Sequence, residues 1–511
     1  MCFISILQVE KWNTNFLKSN KLFFKQMSSF EELRKTRIEK IKLLEKAGME
    51  PYPSISKKDY SISEAVSDFE VLTKKKNISL VGRIMAIRGQ GGLIFLNIND
   101  GTGVFQGLLK KDEMDEKVFD LFQNTIDIGD FIEVNGKLFI TKRGEKTLQV
   151  VDWKILTKSL RPLPEKWHGI QDEEERLRKR YLDIIFNPQV REMIEKRAKF
   201  FSSVRLFLEK NDFMEVQTPV LENTAGGAEA KPFITHYNAY DTDVYLRISP
   251  ELWLKRLMVA GFPKVFEIGK VFRNEGVDAE HLQDYMHFEF YWAYADYNIG
   301  MKFIEEMYKF IAQETFGTLK FNIKGFDVDL GNKWEKYDYT EIIKEKTGID
   351  ILKTDIKEIE NTLQSLKVEY DKVGFNLNRG IDTLWKYCRK QIAGPGFLVN
   401  IPVIMEPLAK RMKTNQNLVE RFQPIIAGSE LGKGFSELND PLDQMERFVE
   451  QAKLREQGDE EAQMMDGEFV EALEYGMPPT FGFGVSERLF WFLMDKSGRD
   501  CQIFPFMRPK K

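Results

Sequence analysis

Residues 265–295 read VFEIGKVFRNEGVDAEHLQDYMHFEFYWAYA, and this stretch decides the fold of the larger part of the chain. Its two ends alternate between apolar and polar residues around a polar loop, which predicts an antiparallel hairpin of strands 265–273 and 286–295. Three residues share the polar face of the second strand: His287, Glu289 and Tyr291. A half-exposed sheet gives the same alternation, but aromatic rings and carboxylates on one face favour a cationic ligand.

The segments before the hairpin predict a helix, an edge strand and a second helix. Residues 190–210 carry an apolar stripe of helical spacing and run towards Pro219, which would interrupt a central strand and so predicts an edge. Ser249 as N-cap and Pro250 at the first helical position predict a helix start. Glu251 follows in the first turn, where a carboxylate either offsets the helix dipole or binds a ligand.

Two later clusters are candidates for the same site. Phe435 and Glu437 are two residues apart and would face one side of a strand, with Glu430 shortly before them. Further on, residues 482–484 read Gly-Phe-Gly and predict a glycine turn that opens an apolar helix. On its own, Gly-x-Gly is a weak signal for a ligand site, because a simple tight turn has the same residues.

Residues 78–155 have a different pattern, with short strand-like runs separated by glycine-rich and Asp-Gly turns. The five runs are 78–85, 93–98, 104–109, 131–139 and 147–153. One helix-like segment, 112–123, lies between the third and fourth runs. Five short strands with one helix predict a small β-barrel of the OB type.

The composition excludes several classes of protein. The chain has 511 residues, 42% apolar and 30% charged, which is enough for about three folded domains. A net charge of −4 excludes a uniformly basic nucleic-acid coat. Three scattered cysteines and four histidines disfavour a disulfide framework and a thiolate zinc site, and suit a reducing cytoplasm. No apolar run approaches the roughly 18 residues that span a membrane.

The same patterns divide the chain into segments. Residues 1–26 are expected to be an extension outside the fold, because a fresh start with a capping box follows at Met27. The expected segments are a helical segment at 27–76, the barrel at 77–160, a linker at 161–186 and an α+β domain at 187–511 with an insert near 300–395.

Several motifs, in this order, resemble the class II aminoacyl-tRNA synthetases, and more narrowly the bacterial-type lysyl-tRNA synthetases of class IIb. The similarity covers nearly everything from Met27 to Pro509. The stretches that carry it are PEKWHG at 164–169, GGAEAKPF at 226–233, VFRNEG at 271–276, EFYWAYADY at 289–297, GFSELNDP at 434–441, and EQGD at 456–459 through MPP at 477–479.

The resemblance implies an antiparallel-sheet catalytic domain with helices and an N-terminal five-stranded OB-fold barrel that binds the anticodon. The helix and the Pro219 strand would be motif 1, which forms a homodimer interface; the 265–295 hairpin would be motif 2, and the segment ending at Arg488 motif 3. The implied enzyme is cytoplasmic. It converts L-lysine and ATP, with Mg²⁺, into lysyl-adenylate and diphosphate, and passes lysine to the 3′ end of tRNA(Lys).

The resemblance also implies roles for individual residues. Catalysis and nucleotide binding are assigned to Arg273, Glu275, His281, Tyr285, Glu430 and Arg488, of which Arg273 and Arg488 act on the phosphates. Lysine is assigned to Gly227, Glu251, Arg273, Glu289, Tyr291, Phe435 and Glu437. The metal is assigned to Glu430 and Gln423, and the anticodon to Arg88, Phe95 and Gln106. For Phe95 the alternative is an aromatic residue of the barrel core.

The chain departs from the family pattern at a few positions. Gln423 stands where a Glu metal ligand is usual, and Lys433 stands where Asn is usual. Lys433 would point either to the phosphates, replacing part of the Mg²⁺ charge, or to solvent. The motif 3 turn is one residue short, and the motif 2 loop reads His-Leu-Gln-Asp-Tyr at 281–285 rather than His-Asn-Pro-Glu-Phe.

Three other functions fit parts of this pattern. An aspartyl- or asparaginyl-tRNA synthetase shares the barrel and the catalytic core, but its substrate would want Arg or Lys where this chain has Glu437, Tyr291 and Glu289. A ligase that attaches lysine to a protein would resemble the catalytic domain alone. A catalytically inactive RNA-binding paralogue would not need Arg273, Arg488 and Glu430.

Overall fold

The computed structural model describes residues 30–164, 170–276, 281–370, 372, 375–459 and 461–510. The chain forms two compact units, residues 1–171 and 172–511, each with a hydrophobic core of its own. The predicted extension at 1–26 lies outside the described residues. None of the helices in the described part is both long and apolar enough to cross a membrane.

The smaller unit is a closed barrel with the strand order β1-β2-β3-β5-β4, which confirms the predicted OB-type barrel. Its strands are β1 (Ile78–Gln90), β2 (Leu93–Asn99), β3 (Val104–Lys110), β4 (Phe131–Ile140) and β5 (Lys146–Thr157). Its helices are α1 (30–46), α2 (Ile62–Ser67), α3 (Phe69–Leu72) and α4 (Glu116–Thr125). Along β2, alternate residues Ile94, Leu96 and Ile98 are buried in the core, as the period of two requires.

Helix α4 begins later than the sequence predicted. Residues Lys111–Glu113 form a separate 3-10 turn. The Asp115 carboxylate then accepts hydrogen bonds from the backbone N–H groups of Lys117 and Val118, at 2.9 and 3.2 Å, and so caps the helix at Glu116. The predicted helix start at residue 112 is therefore wrong, because the Asp115 cap makes Glu116 the first helical residue.

A buried lysine lies at the end of the barrel. The Lys158 side chain has no exposed surface, and its Nζ donates to the Thr125 carbonyl oxygen, to Asp127 Oδ2 and to Asp130 Oδ2, each at 2.6 Å. Asp130 also accepts from the backbone N–H groups of Ser159 and Asp127, at 2.8 Å each. We call Lys158, Thr125, Asp127 and Asp130 the barrel lysine cluster.

The larger unit is built on one sheet with the order β14-β15-β18-β20-β21-β11-β10-β6, and β19 pairs with β18. All pairings from β15 to β10 are antiparallel, which confirms the predicted antiparallel catalytic sheet. The strands are β6 (Met214–Glu215), β7 (Leu221–Glu222), β8 (Ile234–Tyr237), β9 (Thr242–Leu246), β10 (Lys264–Phe272), β11 (Asp284–Ala293), β12 (Lys320–Ile323), β13 (Phe326–Asp329), β14 (Glu335–Asp338), β15 (Gly396–Val399), β16 (Ile401–Pro402), β17 (Leu418–Val419), β18 (Arg421–Ile426), β19 (Ser429–Glu430), β20 (Lys433–Ser436) and β21 (Thr480–Ser486).

Helices cover this sheet and fill the predicted insert. They are α5 (Glu173–Arg178), α6 (Arg180–Phe186), α7 (Pro188–Lys210), α8 (Glu251–Val259), α9 (Tyr297–Phe316), α10 (Tyr339–Thr347), α11 (Ile356–Ser365), α12 (Leu377–Cys388), α13 (Pro441–Glu456), α14 (Gly467–Glu474) and α15 (Arg488–Leu493), with 3-10 turns at Arg389–Gln391 and Val403–Met405. Phenylalanines from α7, β10 and β11 form the centre of the core, including Phe200, Phe266, Phe288 and Phe290.

The segment with Pro219 lies at the sheet edge, as predicted, but it forms less strand than expected. Only β6 pairs with β10, in parallel, and the chain then leaves this sheet. Glu267 on β10 fixes the departing segment, because its Oε2 accepts from the backbone N–H and the hydroxyl of Thr218 at 3.1 and 2.6 Å. Arg247 donates to Oε1 of the same carboxylate at 2.5 Å.

The hairpin β10–β11 has nine register pairs, from Lys264 opposite Trp292 to Phe272 opposite Asp284. The apolar face packs into the core through Phe266, Phe288 and Phe290, all with no exposed surface. The opposite face therefore presents His287, Glu289 and Tyr291 together, which is the arrangement that the alternation predicted.

Candidate functional site

A cavity of about 420 Å³ lies against the polar face of the sheet in the larger unit. Strands β11 and β18–β21, Arg273 just after β10, the start of α8 and the loop at 227–229 contribute to its walls. Ten residues proposed from the sequence line it: Gly227, Glu251, Arg273, Tyr285, Glu289, Tyr291, Gln423, Glu430, Phe435 and Arg488. Residues that are up to 261 positions apart in the chain are thus brought to one cavity by the strand order.

The glycines of the Gly-Phe-Gly motif form part of the cavity floor. Gly482 and Gly484 lie within strand β21, opposite Tyr291 and Glu289 of β11, so the predicted glycine turn is wrong. A Cβ atom at 482 would lie 2.0 Å from Glu437 Oε1 and 2.6 Å from the Tyr291 ring. The missing side chain is therefore what leaves room for the acid and the phenol at this point.

Glu289 is held by three neighbours on the cavity wall. The Ser249 hydroxyl donates to its Oε1 at 2.6 Å, and the Tyr291 hydroxyl donates to its Oε2 at 3.0 Å. His287 Nε2 lies 3.0 Å from Oε1. Burial alone would raise the pKa of Glu289, but His287 and the two hydroxyl donors outweigh it and hold the pKa below its usual range. Glu289 is therefore a carboxylate anion.

Ser249 does not occupy the helix position that the sequence predicted. Pro250 is the N-cap residue and α8 begins at Glu251. The Ser249 hydroxyl nevertheless accepts from the backbone N–H of Glu251 at 3.1 Å, while it donates to Glu289. One hydroxyl group thus connects the first turn of α8 to strand β11.

Glu251 and Glu437 share a buried cation. Lys255, one helical turn after Glu251, has a fully buried side chain, and its Nζ lies 2.6 Å from Glu251 Oε1 and 2.5 Å from Glu437 Oε2. Burial raises the pKa of Glu251 to about 7, although Lys255 opposes this. Burial likewise raises the pKa of Glu437 well above its ordinary value against the pull of Lys255.

Glu437 does not line the cavity but lies directly behind Gly482. Its side chain is fully buried, and its Oε1 accepts no hydrogen bond from any described residue. Phe435, two residues earlier on the same side of the chain, lines the cavity, and its ring centroid is 5.3 Å from Lys255 Nζ.

Arg273 and Tyr285 lie at opposite ends of the motif 2 loop and meet across the hairpin. The Arg273 guanidinium carbon is 5.7 Å from the centre of the Tyr285 ring, and its Nη2 donates to the Ile248 carbonyl at 3.5 Å. Its Nε is buried and donates to no described residue. Arg488, at the first position of α15, lines the cavity as well. Two guanidinium groups on one cavity suit an anionic ligand such as a polyphosphate.

Two other expected nucleotide contacts do not line the cavity: Glu275 and His281. Glu275 is half-buried, and that burial raises the pKa of its carboxyl, with Arg273 opposing the shift. His281 is exposed. Both lie beside the part of the motif 2 loop at 277–280, which is outside the described residues.

The expected metal ligands lie near each other on the sheet. Glu430 on β19 pairs in register with Ile425 of β18, two residues beyond Gln423. One oxygen of Glu430 accepts a hydrogen bond from Trp385 Nε1, and the other lies 3.9 Å from Arg389 Nη1. In the described part of the chain, no group of three or more His, Cys, Asp or Glu residues could hold a metal by itself.

Lys433 pairs with a buried acid that the sequence did not single out. Its Nζ donates to Glu406 Oε2 at 2.9 Å, and Arg421 Nη1 lies 3.2 Å from the same oxygen. The Glu406 carboxylate is 2% exposed, while the Lys433 side chain keeps 37% of its surface exposed to the cavity side. Burial would raise the pKa of Glu406, but the two cations hold it below the ordinary value.

The chain was compared with known proteins. The family described as tRNA synthetases class II (D, K and N) matches residues 172–508, and an OB-fold nucleic acid binding domain matches residues 78–156. The chain is 43% identical to the lysine–tRNA ligase of Thermotoga maritima over 488 residues, which is 94% of this chain and 97% of that protein. It is 41% identical to the lysine–tRNA ligase of Roseiflexus sp. (strain RS-1) over 94% of this chain and 99% of that protein. The chain belongs to the lysine–tRNA ligase family.

The family resemblance stated from the motifs is thereby confirmed, together with the class II and OB folds. In the barrel of this lysine–tRNA ligase family member, Arg88 and Phe95 are register partners on β1 and β2. Phe95 is partly exposed between the buried Ile94 and Leu96, so its ring is not part of the barrel core. Gln106 on β3 pairs with Asn97, and its Nε2 donates to Thr147 Oγ1 at 2.8 Å.

Lys255 and Glu406 were not predicted from the sequence of this family member. The only signal for Lys255 was its position four residues after Glu251, which most often marks a surface ion pair on a helix. Glu406 gave no signal, because 27 residues separate it from its partner Lys433 and it lies outside any recognisable motif.

Proposed function

We propose that the protein activates L-lysine with ATP to lysyl-adenylate and diphosphate, and then transfers the lysyl group to the 3′ end of tRNA(Lys). One observation carries the proposal: two buried carboxylates, Glu251 and Glu289, line a cavity that also holds Arg273 and Arg488, and a third, Glu437, lies directly behind its floor. Acidic groups match the two ammonium groups of lysine, while the arginines match its carboxylate and the phosphates of ATP.

The first step joins the lysine carboxylate to the α-phosphorus of ATP and breaks its bond to the bridging oxygen of diphosphate. The nucleophile is already an anion, so the protein needs no general base, and catalysis consists of positioning and charge stabilisation. Arg273 would hold the amino-acid carboxylate and the α-phosphate, and Arg488 the γ-phosphate. Tyr285 would stack on adenine, with Glu275 and His281 beside the nucleotide.

The lysine site would use both walls of the cavity. Glu251, Glu289 and the Gly227 carbonyl would bind the α-ammonium. Glu437 and Tyr291 would bind the side-chain ammonium, and Phe435 would lie along the methylene groups. A cationic side chain fits this site better than an anionic or amide one, because Glu289 and Tyr291 line the cavity and Glu437 lies directly behind its floor.

Magnesium would be held at Glu430, with the Gln423 amide oxygen as a second ligand. One carboxylate and one amide oxygen fit a Mg²⁺ ion that takes its remaining ligands from phosphates and water. When bound, the ion neutralises charge on the phosphates of ATP. The partly exposed Lys433 ammonium adds a positive charge to this wall, and the Glu406 carboxylate partly neutralises it.

The remaining parts of the proposal concern assembly and tRNA. The outer face of the barrel with Arg88, Phe95 and Gln106 would bind the anticodon, with Phe95 stacking on a base. Helix α7 and the segment at Pro219 would form the interface of a homodimer, and the enzyme would work in the cytoplasm. Neither an aspartyl or asparaginyl enzyme nor an inactive RNA-binding paralogue is favoured by the family comparison.

Amino-acid-dependent exchange of diphosphate into ATP tests the proposal. The protein should catalyse exchange with lysine, and aspartate, asparagine and the other amino acids should give at most background. Charging of tRNA(Lys) should follow under the same conditions. Exchange with aspartate or asparagine instead of lysine would contradict the substrate, and no exchange with any amino acid would contradict the activity.

A further inference from the structure

Two separate elements of the fold hold Lys255 behind the wall of the proposed lysine site. Helix α8 presents Glu251 and Lys255 one turn apart, so that both side chains lie on the same helix face. Glu437 follows β20, where its backbone N–H donates to the Thr480 carbonyl at 2.8 Å and fixes its position. The Lys255 ammonium thereby lies between two carboxylates from different parts of the chain, at 2.6 and 2.5 Å.

Lys255 offsets one negative charge among the acids of this site. Glu251, Glu289 and Glu437 would carry a charge of −3 when ionised, and Lys255 brings this sum to −2. Free lysine brings two ammonium groups, and its carboxylate faces Arg273 in the proposed pose. Other charged residues line the same cavity, among them Glu229, and Glu406 with its two cations Arg421 and Lys433. Lys255 therefore offsets charge among the acids nearest the ammonium groups of the substrate in that pose.

We propose that Lys255 is a positioning residue of the lysine site, whose ammonium holds the carboxylate groups of Glu251 and Glu437 in place to receive the ammonium groups of the substrate. The proposal rests on lysine being the substrate, as inferred above. Lys255 lies behind the cavity wall and does not line it, so it acts through the two carboxylates.

The surroundings of Lys255 support a role in recognition. Its remaining neighbours include the rings of Phe435 and Phe469, whose centroids are 5.3 and 5.9 Å from Nζ. Glu437 keeps Oε1 without a donor from the described residues, and this acceptor lies directly behind Gly482 of the cavity floor. Burial raises the pKa of both Glu251 and Glu437, and Lys255 is the cation that most opposes this shift.

The test compares Lys255→Met with the matched control Arg256→Met. Arg256 is the next residue on α8 and forms an ion pair with Asp466 at 3.0 Å, but it does not line the cavity. Lysine binding is measured by calorimetry, and the KM values for lysine and ATP by diphosphate exchange. Lys255→Met should raise the Kd and KM for lysine by about 30-fold or more, since a buried charge network loses one partner. The KM for ATP should change by less than about twofold, and Arg256→Met should leave all three values near wild type.

A second variant keeps the test valid if the single variant folds poorly. Lys255→Met/Glu437→Gln removes both charges of one ion pair, which a folded core tolerates better than an unpaired buried acid. If Lys255 acts through Glu437, the double variant should bind lysine within about threefold of the weaker folded single variant. Independent losses that multiply would overturn the proposal.

Two results with Lys255→Met would also overturn it. Unchanged lysine affinity would show that the residue is structural only, and tighter lysine binding would make it a competitor of the substrate. Failure of the wild-type protein to exchange diphosphate with lysine would instead count against the proposed function, so the two failures are distinguishable.

Discussion

Both units of the protein contain a lysine with no exposed side-chain surface between two acidic residues, and the two lysines differ in what surrounds them. In the barrel lysine cluster, Lys158 donates to the Thr125 carbonyl as well as to Asp127 and Asp130. In the larger unit, Lys255 lies between Glu251 and Glu437, with aromatic rings beside it and a cavity beyond them.

The acidic partners of the two lysines also differ, in whether all of their oxygens accept hydrogen bonds. Both oxygens of Asp130 accept backbone hydrogen bonds in addition to the Lys158 contact, whereas Oε1 of Glu437 accepts none from the described residues. A network in which every donor and acceptor is used contributes to stability and has nothing left to bind. A network with an unused buried acceptor next to a cavity is costly without a ligand and selective for a donor. Both lysines are fully buried, so what differs between the two sites is how completely the oxygens of their acidic partners are hydrogen-bonded.

The strongest test of this comparison is Lys158→Met. It leaves the buried Asp130 carboxylate without its cation, while Asp127 keeps Lys40 at 2.6 Å, so the barrel should lose about 3–5 kcal/mol of unfolding free energy. Urea denaturation and hydrogen exchange of strands β1–β5 measure the loss, and calorimetry should show unchanged lysine affinity. A stable barrel, or weaker lysine binding, would break the distinction between the two lysines.

Arg273→Ala should remove activity without removing stability. A donor aimed at the reacting phosphate is worth about 3–4 kcal/mol, so lysine-dependent diphosphate exchange should fall by two to three orders of magnitude. The melting temperature should stay close to that of the wild type. Exchange activity within tenfold of wild type would contradict the catalytic role.

Glu437→Gln should weaken the binding of the substrate lysine and leave the binding of ATP unchanged. It replaces the open buried carboxylate by a neutral amide, and the lost partner of a buried ammonium costs about 2–5 kcal/mol. The KM for lysine in diphosphate exchange should rise, whereas the KM for ATP should not. If kcat and the KM for lysine were both unchanged, Glu437 would be a structural acid, like those of the barrel lysine cluster.

Phe95→Ala, in the barrel, has the smallest expected effect. A base stacked on an aromatic side chain contributes about 1–3 kcal/mol, so charging of tRNA(Lys) should weaken by that amount. Diphosphate exchange without tRNA should be unaffected. Equal losses in both assays, with a lower melting temperature, would show that the ring supports the barrel instead.

The sequence allowed the barrel, the hairpin and ten of the cavity-lining residues to be predicted, because each depends on local alternation or on a recognisable motif. Gly482 and Gly484 were placed in a turn, since glycine is unfavourable in strands. In the structure β21 is a central strand between β20 and β11, and pairing on both sides outweighs that preference.

The charge partners could not be predicted in the same way. Lys255 follows Glu251 at the spacing of an ordinary surface pair, and its second partner, Glu437, is 182 residues further on in the chain. The alternatives for Lys433, phosphate or solvent, did not include Glu406, because no local pattern connects residues 406 and 433. Contacts between distant segments depend on how the sheet assembles and not on the residues next to them in the chain.

The absent side chain at position 482 limits how this enzyme could be redesigned for other amino acids. Any larger residue there would overlap Glu437 and Tyr291, and glycine cannot be made smaller, so this position can neither narrow nor widen the site. A shorter or longer substrate would have to be accommodated by changing Phe435 or Tyr291, which are large enough to be trimmed. The cavity can therefore be reshaped from its aromatic walls, while its peptide floor stays fixed.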